Sequence, residues 1–375
     1  MSNYRLNPLK NIDVNRNRII EKTRNRMKQM EAKPQRNFRR PAFITILACF
    51  LCIIIASPYL EHTFQGNTNH FSIKKVVIPN VPYDSLIKSF YIDTSSELIY
   101  STEQGIYSFN LEKNESKQLI DTREVGRVLE LAASSKWLIW ASPENNKQVI
   151  HILNRQTHEL KMAENQYFNG LYLYRDTLIY MGIDQGKPSY YTIALDTLKE
   201  NVLHEINGES SNSQPSIDKN LIVIPETLTT NHKSETVVYV YDLNLHKQIG
   251  SYTFPYKIAE NILLKKDTVF AYLWNGKETG AVGGIDMNTG KLTILKQPAA
   301  ANAYATDGTH FALSAADEES DTVQLFMKKK EKLTLLSSFP SIKERLVKPR
   351  FTSEGTLLLN GEGKDSAMYI IRFDD

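Results

Sequence analysis

The chain has 375 residues, of which 41% are hydrophobic and 23% are charged, so it can bury one large core or two ordinary ones and is not a disordered protein. The net charge of +3 is unevenly distributed, because residues 1–40 carry twelve Lys or Arg against three acids. This segment is therefore +9 and the rest of the chain is −6. The only cysteines are Cys49 and Cys52, so residues 61–375 offer no thiol for a disulfide or a cysteine-based zinc site.

The basic segment 1–40 is predicted to contain one short helix, with Asp13 as its N-cap. Its apolar positions follow three- and four-residue spacing at Ile20, Thr23, Met27 and Met30. Two interpretations remain open, a juxtamembrane helix that contacts anionic lipid and a docking helix for a cytoplasmic protein. Nucleic-acid binding is not expected, because a fold able to read bases would not fit in this segment.

Residues 42–60 contain no charge, and a helix of this length covers about 28 Å, close to the hydrocarbon thickness of a bilayer. The basic segment lies before it and the first charge after it is Glu61, which places the amino terminus in the cytoplasm. We therefore predict a cytoplasmic tail at 1–40, a transmembrane helix at 41–60, a linker at 61–71 and an extracytoplasmic domain at 72–375. The protein is thus expected in the cell membrane as a single-pass protein.

Three alternatives to a membrane span were weighed. A cleaved signal peptide has a shorter basic leader, and a lipoprotein box at residues 46–49 would leave the apolar residues 50–55 unexplained. A buried helix of a soluble protein would not explain the positive charge at one end. The layout resembles that of bacterial transmembrane anti-sigma factors, although the tail has no His or Cys for the zinc-binding version of their inner domain.

Short apolar runs repeat along the predicted outer domain. Their starts are separated by 40, 40, 43, 48, 42 and 46 residues, and a polar turn precedes each run. The first runs are 98–100, 138–140, 178–180, 221–223, 269–271, 311–313 and 357–359. The second strand-like runs are 106–111, 149–153, 190–195, 237–243, 284–287, 323–327 and 368–373. A third follows in places, such as 291–295 and 332–336.

A repeat of about 40–45 residues with four short strands is typical of a β-propeller blade. Seven copies predict an all-β, seven-bladed propeller over residues 72–375. The seventh copy ends after its third strand, whereas residues 72–79 form a spare strand ahead of the first copy. We therefore predict that residues 72–79 complete the last blade and close the ring.

Residues 237–243 and 285–291 each place an Asp at the end of a strand, and in the second an Asn-Thr-Gly-Lys turn follows. They resemble blades of the broad TolB, YVTN and quinoprotein-like propeller superfamily. The resemblance covers residues 72–375, and WD-repeat propellers are less similar. Trp137, Trp140 and Trp274 do not match the docking positions of quinoproteins, so no quinone or other cofactor is expected. Members of the superfamily include protein- and peptide-binding propellers as well as hydrolases and lyases.

No common catalytic motif is present in the sequence, and the eight histidines are scattered. No catalytic residue or metal ligand is therefore predicted. Calcium binding was considered for the acidic run around residue 319, but this run lacks the ligand spacing of a calcium loop and is interpreted as a solvated hairpin tip. The glycines around residues 274–276 and at 280–284 are interpreted as a flexible hairpin, and no helix is expected there.

The functional face of a propeller usually carries the loops between second and third strands and the loops between blades. This face is predicted to include residues 226–235, the tip near Trp274, and the inter-blade loops 206–214 and 340–348. The candidate binding residues are Trp274, Glu226, His232, Asp317, Glu318, Glu319 and Asp321. The expected partner is a protein, peptide or cell-wall ligand, and the favoured function is a non-catalytic binding, sensor or scaffold module. A transmembrane signalling regulator and a hydrolase of wall polymer or peptides are the alternatives.

Overall fold

The computed structural model describes residues 71–375 except for 79, 122, 124–125, 145–146, 166–167, 185, 211–212, 231–232, 257, 275–279, 297–300, 316–321, 364–366 and 374–375. The predicted docking residues Ile20, Met27 and Met30 and the predicted transmembrane helix 41–60 lie outside the described residues. Within the described part of the chain, no helix has the length and hydropathy needed to cross a membrane.

Seven antiparallel sheets account for most of the described chain, and each forms one blade. Blades 1–3, 5 and 6 each consist of four successive strands. The strands of blade 1 are β2 (Phe90–Ile92), β3 (Glu97–Thr102), β4 (Gly105–Asn110) and β5 (Glu115–Asp121). Those of blade 2 are β6 (Glu130–Ala133), β7 (Trp137–Glu144), β8 (Lys147–Asn154) and β9 (Leu160–Asn165). Those of blade 3 are β10 (Phe168–Tyr174), β11 (Thr177–Asp184), β12 (Lys187–Ala194) and β13 (Lys199–Glu205).

Blade 4 has an additional short strand, β14 (Glu209–Ser210), which pairs with its second strand. Its other strands are β15 (Ser216–Asp218), β16 (Leu221–Thr230), β17 (Lys233–Asp242) and β18 (Lys247–Phe254). The strands of blade 5 are β19 (Ile258–Lys265), β20 (Thr268–Trp274), β21 (Ala281–Asp286) and β22 (Leu292–Ile294). Those of blade 6 are β23 (Ala301–Thr306), β24 (His310–Ala315), β25 (Val323–Lys329) and β26 (Lys332–Ser337).

Blade 7 combines the two ends of the domain. Its strands are β27 (Leu346–Phe351), β28 (Leu357–Gly361), β29 (Ala367–Phe373) and β1 (Phe71–Val77). Strand β1 pairs with β29 in antiparallel register from Phe71↔Phe373 to Val77↔Ala367. The segment expected to close the ring, residues 72–79, thus contributes the outermost strand of the last blade.

Hydrophobic contacts join each blade to the next. The buried apolar residues fall into clusters that each draw side chains from two neighbouring blades, such as Ile99 of blade 1 with Trp140 of blade 2. A further cluster joins Leu358 and Met368 of blade 7 to Leu98 of blade 1. A single blade would expose both faces, so burial of these faces requires a closed ring. The structure therefore confirms the predicted seven-bladed β-propeller.

The apolar repeat in the sequence corresponds to the second and third strands of each blade. In β7, for example, the first six residues are buried, whereas the first four residues of the outermost strand β5 are exposed. The inner strands are covered on both faces by neighbouring blades, so they consist of nearly continuous apolar residues. The fourth strands face solvent, so apolar residues recur less regularly in them.

A short helix, α1 (Tyr83–Ile87), precedes the first blade. The repeat pattern did not predict this helix. Pro82, at φ −60° and ψ 146°, provides the extended residue before the helix, and Asp84 lies in its first turn, where a negative charge is favourable. Leu86 is fully buried between blades 7 and 1, so packing stabilises a helix too short to form alone.

Candidate functional site

A cavity among the described residues has a volume of about 1960 Å³. Its wall includes α1, the β3–β4 hairpin tip at residues 102–104, and the segment 126–129 between blades 1 and 2. The first strands of blades 2, 3 and 7 complete it with Leu131, Tyr172 and Arg350. One hairpin tip between a second and a third strand thus meets an inter-blade segment at this cavity, and both kinds of segment are expected at a functional face.

β-Bulges shape the first strands that line the cavity. The pairing of β10 shifts between Asn169 and Tyr172, where Gly170 has φ +68°. The pairing of β27 shifts between Val347 and Arg350, where Lys348 has φ +51°. A bulge bends a strand and redirects the next side chain. Tyr172 and Arg350 both follow a bulge directly, and both line the cavity.

The cavity wall contains ionisable groups whose pKa values are shifted by burial. Burial raises the pKa of the Glu130 carboxyl, although the nearby Lys88 acts in the opposite direction. Burial also raises the pKa of the Tyr172 phenol, with smaller contributions from Tyr190 and Glu130. Burial lowers the pKa of the Arg350 guanidinium to about 10. At these three side chains of the wall, burial therefore makes the charged form costly.

Trp274 is the best placed of the predicted binding residues. It is the last residue of β20 and is 39% exposed, next to the hairpin segment 275–279 that lies outside the described residues. His232, Asp317, Glu318, Glu319 and Asp321 also lie outside the described residues. Trp274 does not line the cavity. The structure thus does not bring the described members of the predicted set into one site.

Glu226 differs from the expectation of a loop residue. Residues 226–230 belong to β16 and residues 233–235 to β17, so the prediction of a loop is wrong for them. Residues 231–232 lie outside the described residues. The Glu226 side chain is 1% exposed and bonds to His204 Nε2, while its other oxygen accepts from the Gly208 N–H at 3.0 Å. His204 Nδ1 lies 2.7 Å from the Tyr241 hydroxyl. Glu226 therefore belongs to a buried polar network between blades 3 and 4.

Three other loop expectations need correction. Residues 280–284 were expected to be a flexible hairpin, but β21 begins at Ala281, and Gly283 and Gly284 lie within it. A side chain at Gly284 would approach the Phe270 ring to 2.9 Å, so glycine permits close packing there. The inter-blade segment 206–214 contains β14, and 340–348 runs into β27.

Blade 2 contains a Ser–His–Glu group, the residue types of a hydrolase triad. Ser142 Oγ lies 2.8 Å from His151 Nε2, and Glu144 Oε1 lies 2.9 Å from the same nitrogen. In a catalytic triad the acid bonds to Nδ1 and the serine to Nε2. Here His151 Nδ1 has no partner, and Ser142 is fully buried, so this group lacks triad geometry. Among the described residues, no group of three or more His, Cys, Asp or Glu could hold a metal ion.

Sequence reasoning missed the residues that line the cavity, notably Glu130, Tyr172 and Arg350. One signal was available, because Pro349 interrupts the strand-like segment before Arg350, and proline within a strand indicates a bulge or an edge. The repeat pattern does not reveal that five blades and α1 line one cavity.

No family model and no curated protein match this sequence. Solved structures do resemble it. The β-propeller domain of the Trilobed protease from Pyrococcus furiosus, described as having an open velcro topology, aligns with a TM-score of 0.51 at 11% identity, over 66% of this chain and 82% of that one. A structure from a study of two prolyl endopeptidases aligns with a TM-score of 0.58 at 12% identity, over 74% of this chain and 46% of that one.

An oligogalacturonate lyase in complex with manganese aligns with a TM-score of 0.53 at 11% identity, over 81% of this chain and 97% of that one. Identities this low show similarity of fold alone. The peptidases and the lyase therefore establish that this chain has the propeller fold, and its activity has to be argued from its own residues.

Proposed function

We propose that this protein is a membrane-anchored, extracytoplasmic propeller that binds a peptide or protein segment in the cavity between α1 and blades 1–4 and 7, without catalysing a reaction on it. The cavity is the observation that carries the proposal. Its volume of about 1960 Å³ exceeds the roughly 300–1,000 Å³ typical of small-molecule sites. An extended peptide of several residues would fit such a space.

The lining of the cavity supports a peptide ligand. Apolar and aromatic side chains such as Ile87, Leu171 and Phe351 alternate with polar ones such as Ser101 and Gln104. A peptide offers both kinds of group at regular spacing, whereas a neutral sugar polymer would leave the aliphatic residues poorly matched. The buried Ser142–His151–Glu144 group lies outside this cavity and lacks triad geometry, which favours binding over hydrolysis.

We further propose that the chain belongs to the TolB and YVTN type of propeller. The turns that carry this resemblance have a clear physical role. Asp242 Oδ1 accepts from the N–H groups of Asn244 and Leu245, at 2.8 and 3.1 Å. Asp286 Oδ1 accepts from Asn288 and Thr289 N–H, at 3.0 and 2.8 Å. An Asp in this position fixes the tight turn into the fourth strand, which explains its recurrence.

The proposed anchor is the uncharged segment 42–60, with the basic segment 1–40 in the cytoplasm near anionic lipid. This topology is tested by fusing alkaline phosphatase or β-galactosidase to the carboxyl terminus. We expect an active phosphatase and an inactive galactosidase. The reverse pattern would refute the extracytoplasmic location.

The binding proposal is tested with the full-length chain in detergent and a pool of random octapeptides, whose retention is measured by sequencing. We expect the wild-type protein to enrich a subset of peptides. Ser101→Trp places an indole in the cavity and should reduce this enrichment at least about tenfold by occluding the site. The matched control Ser251→Trp, on the exposed outermost strand of blade 4, should retain it. Equal enrichment by both variants, or none by the wild type, would contradict the proposal.

A further inference from the structure

Arg350 presents a positive charge at the cavity with only neutral hydrogen-bond partners among the described residues. Its Nη1 donates to Asn360 Oδ1 at 2.6 Å. Its Nη2 lies 3.0 Å from the Leu86 carbonyl oxygen and 3.2 Å from Ser89 Oγ. The buried Nε has no partner. The guanidinium thus links β27 to the end of α1 without meeting a carboxylate.

The ionisable surroundings of Arg350 do not supply a counter-charge. Burial lowers its pKa to about 10, and the Tyr83 phenol is the one group that acts in the opposite direction. Burial raises the pKa of that phenol to about 12, so it is uncharged at neutral pH. Asp84, Glu103 and Glu130 line the same cavity, but none of them bonds to the guanidinium. Arg350 therefore remains charged and unneutralised at pH 7.

A charge removed from water is normally paired with an opposite charge, because desolvation costs several kcal/mol per ion. Water does not readily replace the hydrogen-bond partners of Arg350, because Ser89 is only 7% exposed and Asn360 is 0% exposed. The missing element is an anion, and Arg350 lines the cavity, so a ligand held there lies next to this side chain. A ligand that brings one negative charge would complete the site.

We propose that Arg350 binds a carboxylate of the peptide held in the cavity, from an acidic side chain or the carboxyl terminus. This inference rests on the proposed function and adds the chemical class of the ligand. A carboxylate carries a single charge, which matches the single charge of the Arg350 guanidinium. A dianionic phosphate would bring one negative charge more than this guanidinium offsets, in a cavity whose other charged residues, Asp84, Glu103 and Glu130 with Lys88 and Arg127, already include more acids than bases.

The substitution Asn360→Asp places a negative charge next to Arg350 from within the protein. Its Oδ1 already accepts from Arg350, and its buried Nδ2 has no acceptor. Asn360→Asp keeps the shape of the side chain and replaces the unpaired amide by a carboxylate oxygen. We expect this variant to fold, to unfold at a temperature no lower than wild type, and to remove the need for a ligand carboxylate.

The test uses the full-length chain in detergent and two octapeptide pools that are random except for one internal position, Glu in one pool and Gln in the other. Each pool has free and amidated carboxyl termini as separate arms, which distinguish a side-chain carboxylate from a terminal one. We expect wild type to retain a carboxylate-bearing arm about tenfold better than its neutral counterpart. Asn360→Asp and Arg350→Gln should both bring this ratio close to one.

Equal retention of charged and neutral arms by wild type would overturn the assignment of Arg350 and leave the cavity as a binding site. The same holds for a charge preference that survives in either folded variant. If Arg350→Gln fails to fold, Asn360→Asp decides by itself. Retention of no peptide from any arm would instead overturn the proposed function, and the carboxylate assignment with it.

Discussion

Replacing Glu226 by Ala should destabilise the propeller strongly. Glu226 is 1% exposed, one of its oxygens bonds to His204, and the other accepts from Gly208. The substitution leaves the His204 ring nitrogen buried without a partner and frees the segment that carries β14. Each buried polar group left unsatisfied costs about 1–3 kcal/mol, and loss of one member of a buried pair costs at the upper end. We expect a loss of about 2–4 kcal/mol in the free energy of unfolding.

The assay is urea unfolding of the full-length chain in detergent at pH 7, followed by tryptophan fluorescence. Glu205→Ala serves as the matched control, since Glu205 is the exposed neighbour of His204 and should change stability by no more than about 0.5 kcal/mol. Glu226→Gln should fall between the two, because its amide carbonyl still accepts from Gly208 while its NH₂ group faces His204. If Glu226→Ala is as stable as the control, the network does not stabilise the junction of blades 3 and 4 and the reasoning is refuted.

Four further substitutions test the packing, the backbone and the electrostatics of the ring by the same unfolding assay. Leu86→Ala should cost about 2–5 kcal/mol, because Leu86 is fully buried between blades 7 and 1; a loss below 1 kcal/mol would show that α1 is not held by this side chain. Gly284→Val should cost about 1–3 kcal/mol, because even a Cβ at this position lies 2.9 Å from the Phe270 ring. Gly290→Ala is the control, since its Cβ would meet open space. Its backbone φ of +69° should still cost about 1 kcal/mol. Burial raises the pKa of Asp307, but hydrogen bonds from the His310 ring and backbone prevail and hold it below the usual value. The stability that Asp307 contributes is therefore present above the ordinary carboxyl pKa and is lost as the pH falls through the lowered one. Asp307→Asn should thus cost about 1 kcal/mol at pH 7 and progressively less as the pH falls below the ordinary carboxyl pKa, and a gap independent of pH would contradict this.

The repeat made the fold predictable from the sequence. The second and third strands of every blade are covered on both faces, so they must consist of apolar residues, and their recurrence every 40–48 residues appears directly in the sequence. The count of seven and the spare strand at 72–79 followed from the same pattern, and the structure pairs β1 with β29 accordingly.

The candidate site was much less predictable. Glu226 was interpreted as a loop residue because the chain gives no local sign that β16 and β17 extend to ten residues each. The short helix α1 escaped notice because five residues are too few for a periodic signal, and its stability comes from the burial of Leu86. Trp274 was placed correctly near a hairpin tip, but the cavity lies elsewhere.

By itself, the sequence determined the blade architecture, the division of charge between the basic tail and the rest, and the single uncharged segment at 42–60. These properties depend on local pattern, because the spacing of apolar residues and the distribution of charge can be read directly from neighbouring positions in the chain. Only the tertiary structure decided where the cavity lies and that Arg350, on its wall, bonds to Leu86, Ser89 and Asn360. Arg350 and Leu86 are 264 positions apart in the chain, and they meet because the ring brings its last blade against its first.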